Sequence, residues 1–149
     1  MHNKPYVKLA VMALLSFAAM YILMYSMVNT AGNVYASLNQ AYMAAVMAAP
    51  MVVIELLVMR AMYPSAQMNA LLIAMSIVIG VVAFVFIRQQ TGIGDRQFLR
   101  SMIPHHSGAI LMCRQADVRD DEIRKLCDSI IASQQMEIDQ MTAILQRLR

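Results

Sequence analysis

Two adjacent histidines and a nearby methionine are the residues of this chain whose types and spacing suggest metal chemistry. Met102, His105 and His106 fall within little more than one helical turn. Copper(I) is a soft ion that takes thioether sulfur and imidazole nitrogen as ligands. Because residues four positions apart lie on one face of a helix, Met102 and His106 can approach the same ion, with His105 beside them. Ordinary packing is the competing interpretation, since methionine at an apolar helical position is usually a core residue.

A carboxylate and another methionine further along the chain can complete such a site. If the tail folds as an antiparallel helical hairpin that turns near Val118, position 102 lies opposite about positions 134–137. That arrangement brings Glu137 near the histidines and leaves Met141 one turn away. Glu137 can then accept the second ring N–H of a histidine and fix its tautomer, as carboxylates do around metal-bound imidazoles.

Both helices of this hairpin are predicted from apolar residues at helical spacing. Asp95 is a candidate N-cap for the first helix, and residues 116–121 form a short polar turn. The acidic run 120–122 places negative charge at the start of the second helix, where the macrodipole favours it. Two helices alone bury little apolar surface, so we expect the hairpin to pair with another hairpin or to pack on its own membrane region.

Pro104 lies inside the first of these helices and conflicts with helical geometry. It removes one backbone donor and clashes with the carbonyl of Arg100, so the helix either kinks there or starts afresh. A kink is equally an ordinary local distortion or a way of aiming His105 and His106.

Two sequence motifs in the tail resemble a known family. They are Met-x-x-His-His at 102–106 and Gln-x-x-Glu-Ile-x-x-Met at 134–141. Their order and separation resemble the family catalogued as domain of unknown function 305, over residues about 95–148, with the membrane region outside the match. Its CopM-like members are secreted or periplasmic helical bundles that bind copper through methionine and histidine. The resemblance implies that Glu137 is a ligand or a partner of one. The implied ligands are Met102, His105, His106, Met112 and Met141.

The first part of the chain is poor in charge, which indicates a membrane region. Its charged residues up to position 87 are only Lys4, Lys8, Glu55 and Arg60. Three apolar runs lie at 6–28, 40–59 and 70–87. Each has the length that crosses a bilayer as a helix. The first run is longer than the apolar core of a signal peptide, and no convincing cleavage site follows it.

The distribution of lysine and arginine predicts the orientation of these spans. Lys4 and Lys8 precede the first span, the loop 29–39 carries neither residue type, and Arg60 lies in the second loop. The positive-inside rule therefore predicts a cytoplasmic N-terminus and an outward-facing tail. In a bacterium this means the inner (cytoplasmic) membrane, with the tail in the periplasm. The tail's nearly balanced charge offers no phosphate-neutralising patch, so we expect no nucleic-acid partner.

Cys113 and Cys127 are predicted to lie on the inward faces of the two tail helices, near the turn. Three interpretations are open. A disulfide would stabilise the hairpin by roughly 3 kcal/mol in the chain-entropy model and would suit an oxidising compartment. The thiolates can instead ligate Cu(I), or the two residues are simply small and buried.

The membrane region holds methionines at helical spacing and one acidic residue. The two series are Met20, Met24 and Met27, and Met43, Met47 and Met51. The spacing Met43-x-x-x-Met47 resembles a motif of three-span eukaryotic copper transporters, although packing by a flexible side chain explains it equally. Glu55 inside a span marks function or a partner, and Arg60 is close enough in sequence to be that partner.

The sequence as a whole predicts an all-α protein without enzymatic activity. Three transmembrane helices (1–88) and a linker (89–94) lead to an antiparallel helical hairpin (95–149), which forms a four-helix bundle when paired. No hydrolase, phosphate-binding, dinucleotide-binding or zinc-protease motif is present. We expect a membrane-anchored copper(I)-binding protein for copper tolerance or delivery, with the lipid bilayer and either a homo-oligomer or a membrane-protein partner around it. The alternatives are a copper transporter that uses the methionine series and a structural subunit of a larger membrane complex.

Overall fold

The computed structural model describes residues 4–148, and every regular element among them is helical. The five α-helices are α1 Lys4–Leu23, α2 Leu38–Val58, α3 Ala66–Gln89, α4 Asp95–Gln115 and α5 Asp121–Arg147. The short 3-10 helices are Met24–Met27, Ala31–Asn33 and Arg60–Met62. The predicted all-α class is therefore confirmed for the described part of the chain.

Three segments are long and apolar enough to cross a membrane. They are Lys4–Met27, Leu38–Val58 and Ala66–Gln89, with mean hydropathies of 2.1, 2.1 and 3.0. They coincide with the three apolar runs predicted from the sequence. Only 6%, 22% and 11% of their most apolar windows are buried within the protein, so most of these side chains face outward. A helix that is apolar all round and left uncovered by protein is typical of a membrane span, which supports membrane association.

The chain divides into two compact units, and the first contains the three apolar helices. It consists of Met1–Leu23 and Asn39–Gly92. Leu9, Leu56 and Tyr63 form its buried apolar cluster. Small residues set the approach of α3 to α2, because a Cβ atom added at Gly80 would lie 3.3 Å from the Cβ atom of Ala49.

The backbone conformation of residues 90–94 separates the end of α3 from the start of α4. Gln90 adopts a left-handed conformation with φ of 52°, and Gly92 has φ of 74°. Gly94, not Asp95, is the N-cap of α4, which corrects the capping prediction. Asp95 lies in the first turn instead, where its carboxylate still interacts favourably with the helix dipole. A residue must be extended to cap a helix, and Gly94 is the one in that conformation.

The second unit is the predicted hairpin together with an earlier segment of the chain. It consists of Met24–Leu38 and Ile93–Arg149. The Asp120 side chain caps α5 by accepting hydrogen bonds from the backbone N–H groups of Glu122 and Ile123. The buried core of the unit is formed by Leu99, Ile103, Ile110, Ile138 and Leu145.

Residues 24–38 cover one side of α4. The backbone N–H of Asn29 donates a hydrogen bond to Ser107 Oγ, with 2.8 Å between nitrogen and oxygen, and Ser107 is fully buried. A Cβ atom added at Gly108 would lie 3.4 Å from the carbonyl oxygen of Met27. The absence of a side chain at Gly108 therefore lets this segment approach the helix closely. Tyr35 also packs against the core of the unit.

Pro104 does not interrupt α4, which runs from Asp95 to Gln115 as a single helix. Of the two alternatives for this residue, a fresh helix start is therefore wrong. The flanking residues stay helical because Ile103 on one side and Ile110 further along are held in the core with 0% exposure.

Candidate metal centre

His106 is the buried histidine of the tail, and it faces a carboxylate of the other helix. Its Nδ1 atom lies 3.0 Å from Glu137 Oε2, and the two side chains are 11% and 50% exposed. The distance is that of an ion pair or a hydrogen bond, yet Nδ1 is buried without an aligned hydrogen-bond acceptor among the described residues. The pair is therefore a close electrostatic contact between the Glu137 carboxylate and the Nδ1 atom of His106.

The pKa of His106 is lowered from its ordinary value. Burial is the largest cause, because it disfavours the charged imidazolium, and the neighbouring His105 adds to it. The carboxylate of Glu137 acts in the opposite direction and raises the pKa, but it does not outweigh burial. The imidazole is consequently neutral at pH 7, with a nitrogen lone pair that can bind a metal ion.

Two inter-helix contacts define the register of the hairpin. His106 of α4 meets Glu137 of α5, and nearer the turn Cys113 meets Cys127. Met102 lies one turn before His106, and Met141 lies one turn after Glu137. In an antiparallel pair these two methionines are therefore level with each other. The register differs by about one turn from the prediction that position 102 lies opposite 134–137, because the turn residues do not fix how far the helices slide.

The register thus places four of the six candidate ligands at neighbouring levels of the hairpin, and two of them, His106 and Glu137, are in contact. The four are Met102, His106, Glu137 and Met141. Met102 and Met141 are half-buried, and Met141 packs against the apolar core. Of these donors, thioether sulfur and imidazole suit a soft monovalent ion, whereas the carboxylate is a hard donor.

The other two candidates lie on the outer face of α4. His105 is exposed, with its ring centroid 6.1 Å from that of His106, and Met112 is 53% exposed. They are seven residues apart, or about 10 Å along the helix axis. One ion cannot bridge them at that separation, so they do not form a single site with each other.

Within residues 4–148 no group of three or more histidine, cysteine, aspartate and glutamate side chains is arranged to hold a metal ion. The usual zinc sites need three or four such ligands. A metal bound between α4 and α5 would therefore depend on the methionines, which is a donor set that fits Cu(I) better than zinc.

Cys113 and Cys127 are free thiols, and both are half-buried. The pKa of Cys113 is raised, chiefly by a side-chain hydrogen bond with Cys127 and then by burial and nearby negative charge, including Asp128. The two side chains are therefore neighbours across the hairpin. The predicted inward position of both cysteines near the turn agrees with this placement.

Ser107 and Asn29 form a polar contact that the sequence reading missed. The Ser107 hydroxyl hydrogen-bonds to both the backbone and the side chain of Asn29, next in sequence to His106. The signal was weak: Asn29 marks the first polar break after an apolar run, and nothing in the sequence links it to a residue in the tail.

Glu55 in the first unit is paired with a tyrosine. Its carboxylate accepts a hydrogen bond from Tyr63 Oη at 3.1 Å, and the Tyr63 ring lies 5.5 Å from that of Tyr6. Arg60 is exposed, and no ion pair joins it to Glu55 within the described part of the chain. The partner of Glu55 is therefore the neutral hydroxyl group of Tyr63, and the suggested ion pair with Arg60 is not formed. A hydrogen bond from a neutral group suits a carboxylate close to lipid.

The two methionine series of the apolar helices differ. Met43, Met47 and Met51 lie along α2 and are 42%, 42% and 36% exposed. The series at 20, 24 and 27 is interrupted, because α1 ends at Leu23 and a 3-10 helix follows. A continuous line of thioethers is therefore present on α2.

Comparison with known proteins identifies the family. Residues 39–145 match the sequence profile of the family described as Domain of unknown function (DUF305). The chain belongs to this family. The match begins well before residue 95 and includes α3 and nearly all of α2 as well as the hairpin. The prediction that all three spans lie outside the match is therefore wrong for these two helices, and α1 lies outside it. Apolar spans share a generic composition, whereas the hairpin carries the distinctive motifs that the sequence reading used.

A viral protein is similar to this chain over most of its length. An uncharacterized protein of Acanthamoeba polyphaga mimivirus is 36% identical to this chain over 137 residues, which is 90% of this chain and 88% of the relative. An alignment of that length includes most of the apolar helices together with the hairpin. No solved structure matches the chain.

Proposed function

We propose that this DUF305 protein is a membrane-anchored copper(I)-binding protein for copper tolerance or delivery, and that it is not an enzyme. The observation that carries the proposal is the buried His106, whose Nδ1 atom lies 3.0 Å from Glu137 while Met102 and Met141 are level with each other in the same hairpin. The copper-binding members that this sequence resembles use the same ligand types.

The chemistry of His106 supports this assignment. A metal-bound imidazole usually directs its other ring nitrogen at a carboxylate or carbonyl, which fixes the tautomer. With Glu137 next to Nδ1, the remaining nitrogen, Nε2, is the one left to bind a metal. The lowered pKa of His106 keeps that nitrogen unprotonated at pH 7.

Thioether sulfur supplies the rest of the proposed site. Met102 and Met141 offer neutral, polarisable donors that bind Cu(I) without adding charge to a half-buried position. Glu137, which is half exposed, then serves as a ligand or holds His106 in place.

His105 and Met112 have a separate part in the proposal. Both are exposed on the outer face of α4, so they are accessible to copper or to a second protein before the inner ligands are. We assign them to copper entry or transfer. Exposed apolar side chains elsewhere on the hairpin, among them Ile123 and Leu126, support pairing with a second hairpin or with a membrane-protein partner.

The membrane setting follows from the apolar helices and the distribution of basic residues. We propose that the N-terminus is cytoplasmic and that the hairpin faces outward, toward the periplasm if the host is a bacterium with an inner membrane. A cysteine-labelling experiment with a membrane-impermeant reagent, on single cysteines introduced at Asn33 and Ser65, tests it. Labelling at Asn33 alone agrees with the proposed orientation, and labelling at Ser65 alone contradicts it.

The test of copper binding is a Cu(I) titration of the full chain in detergent against a competing chelator. Cys113→Ser with Cys127→Ser serves as the background, so that thiols do not contribute. We expect Met102→Ala with His106→Ala to abolish tight binding, and Glu137→Gln to weaken it roughly 10- to 100-fold.

The matched control is Met136→Ala, because Met136 is a methionine of the same helix as Met141 but is 68% exposed. Its removal should leave the affinity unchanged. Equal affinity in the Met102→Ala, His106→Ala protein, with its helical content intact, would overturn the copper proposal and make a structural subunit the leading function.

A second candidate function is copper transport through the apolar helices. The specific observation in its favour is the line of exposed thioethers Met43, Met47 and Met51 on α2. Met43→Ala with Met47→Ala should then stop copper uptake into vesicles while the hairpin still binds Cu(I). Unchanged uptake in that variant would remove this candidate.

A further inference from the structure

The half of the hairpin near the turn lacks a buried apolar core. The buried core residues of α4 end at Ile110 and those of α5 begin at Ile138, with the partly buried Ile131 packed against them. Between these two positions no side chain of the described chain is buried. Ile123 and Leu126, on the first turns of α5, are 48% and 57% exposed. Hydrophobic burial, which holds the helices together elsewhere, therefore contributes little at this end.

The contact found at this end is the cysteine pair. Cys113 lies in the last turns of α4 and Cys127 in the early turns of α5. Cys113 lies two helical turns after His106, and Cys127 lies three turns before the buried Ile138, so each cysteine projects from the side of its helix that faces the other helix. Both are half-buried free thiols, and the raised pKa of Cys113, whose largest cause is Cys127, agrees with this placement. Partial exposure makes the two side chains accessible to a small reagent, and their facing positions near the turn mean that little movement is needed to join them.

We propose that Cys113 and Cys127 form a reversible redox site, in which a disulfide compound oxidises the two thiols to a disulfide that closes the turn end of the hairpin. The thiolate of one cysteine attacks the disulfide of the reagent and releases one thiol. The second cysteine then attacks the resulting mixed disulfide, forms the Cys113–Cys127 bond and releases the second thiol. The two cysteines lose two protons and two electrons, and the reagent gains both as two thiols.

A disulfide between Cys113 and Cys127 would stabilise the hairpin. The bond would join residues about 15 positions apart, which in the chain-entropy model shifts the folding equilibrium of the hairpin by roughly 100-fold. The effect falls on the half that the apolar core does not stabilise. The reduced form therefore has a turn region that opens readily, and the oxidised form does not.

The experiment uses the full chain in detergent with a metal chelator and defined ratios of reduced to oxidised glutathione. After free thiols are blocked, the protein is digested with trypsin without reduction. Cleavage after Arg100, Arg114 and Lys125 separates the two cysteines into different peptides. We expect a disulfide-linked pair of peptides that appears in one two-electron transition as oxidised glutathione increases, and that disappears on return to reduced glutathione.

Two other outcomes overturn the proposal. In the first, glutathione stays attached to Cys113 or Cys127 as a mixed disulfide and no linked pair of peptides forms. In the second, the disulfides that form join two chains, whatever the protein concentration. Cys113→Ser and Cys127→Ser are the controls, and neither should give the linked pair. Thermal unfolding adds a second measurement: oxidation should raise the unfolding temperature of the native sequence and leave that of Cys113→Ser unchanged.

This inference is independent of the copper proposal. The redox experiment is performed with copper removed, and the copper titration uses a protein that lacks both cysteines. Failure of either one therefore leaves the other standing.

Discussion

The two halves of the α4–α5 hairpin are held together by different interactions. Far from the turn, Leu99, Ile103 and Ile138 are buried, and His106 meets Glu137 at the edge of that core. Near the turn two half-buried thiols face each other, and the apolar side chains of Ile123 and Leu126 are exposed. Apolar packing therefore holds the half that contains His106 and Glu137, whereas the other half depends on the proposed cysteine redox site.

The largest expected effect comes from the core half. Ile103 has 0% exposure, so Ile103→Ala should lower the free energy of unfolding of the hairpin by about 3 kcal/mol, through lost burial and the cavity left behind. Leu126→Ala in the turn half is the matched control and should change it by less than about 0.5 kcal/mol. Hydrogen exchange of α4 and α5 in detergent measures both, and similar losses for the two variants would contradict the proposed difference between the halves.

The next effect is a pH dependence that arises in the core half. Because the pKa of folded His106 is lowered, the unfolded chain binds a proton more readily than the folded one. Stability from this group is full above the unfolded pKa of about 6.5 and is lost as pH falls through the lower folded pKa. Each unit of lowering corresponds to about 1.4 kcal/mol.

Denaturation of the full chain between pH 7.5 and 5 tests this sign. His106→Gln should flatten the dependence in that range. Glu137→Gln should lower the pKa of His106 further, since the carboxylate is the one contact that raises it. A His106 pKa above that of a free histidine, measured by NMR titration, would refute the account of its burial.

A smaller effect is expected at the start of α5. Asp120→Ala removes the side chain that accepts from the Glu122 and Ile123 N–H groups, and should destabilise the hairpin by about 1 kcal/mol. The loss should appear as faster hydrogen exchange in the first turn of α5, with the core half unchanged. Asp117→Ala, which removes an exposed carboxylate of the turn, is the control.

The helices could be predicted from the sequence because composition and periodicity are local properties. Apolar runs that are long enough to cross a bilayer as helices predicted the three spans. Apolar residues at helical spacing predicted α4 and α5. The N-cap of α4 was misplaced by one residue, since Gly94 and Asp95 are both acceptable capping residues and only the backbone distinguishes them.

The arrangement of the candidate site was less accessible to sequence reasoning. His105 and His106 are adjacent, yet one is exposed and the other buried, because neighbouring positions on a helix point about 100° apart and packing selects between them. The register of the hairpin was off by about a turn for a similar reason. Inter-helix contacts such as His106 with Glu137 set it, and the turn residues alone do not.

The contact between Asn29 and Ser107 has a consequence for biosynthesis. The two residues are 78 positions apart in the chain. At a synthesis rate of about 5–20 residues per second, Asn29 is added to the chain roughly 4–16 seconds before Ser107. During that interval the segment 24–38 has no α4 to cover, so it reaches its final arrangement only after α4 has been synthesised. A nascent chain that stalls before the hairpin would present this segment uncovered, where a protease could recognise the unfinished product.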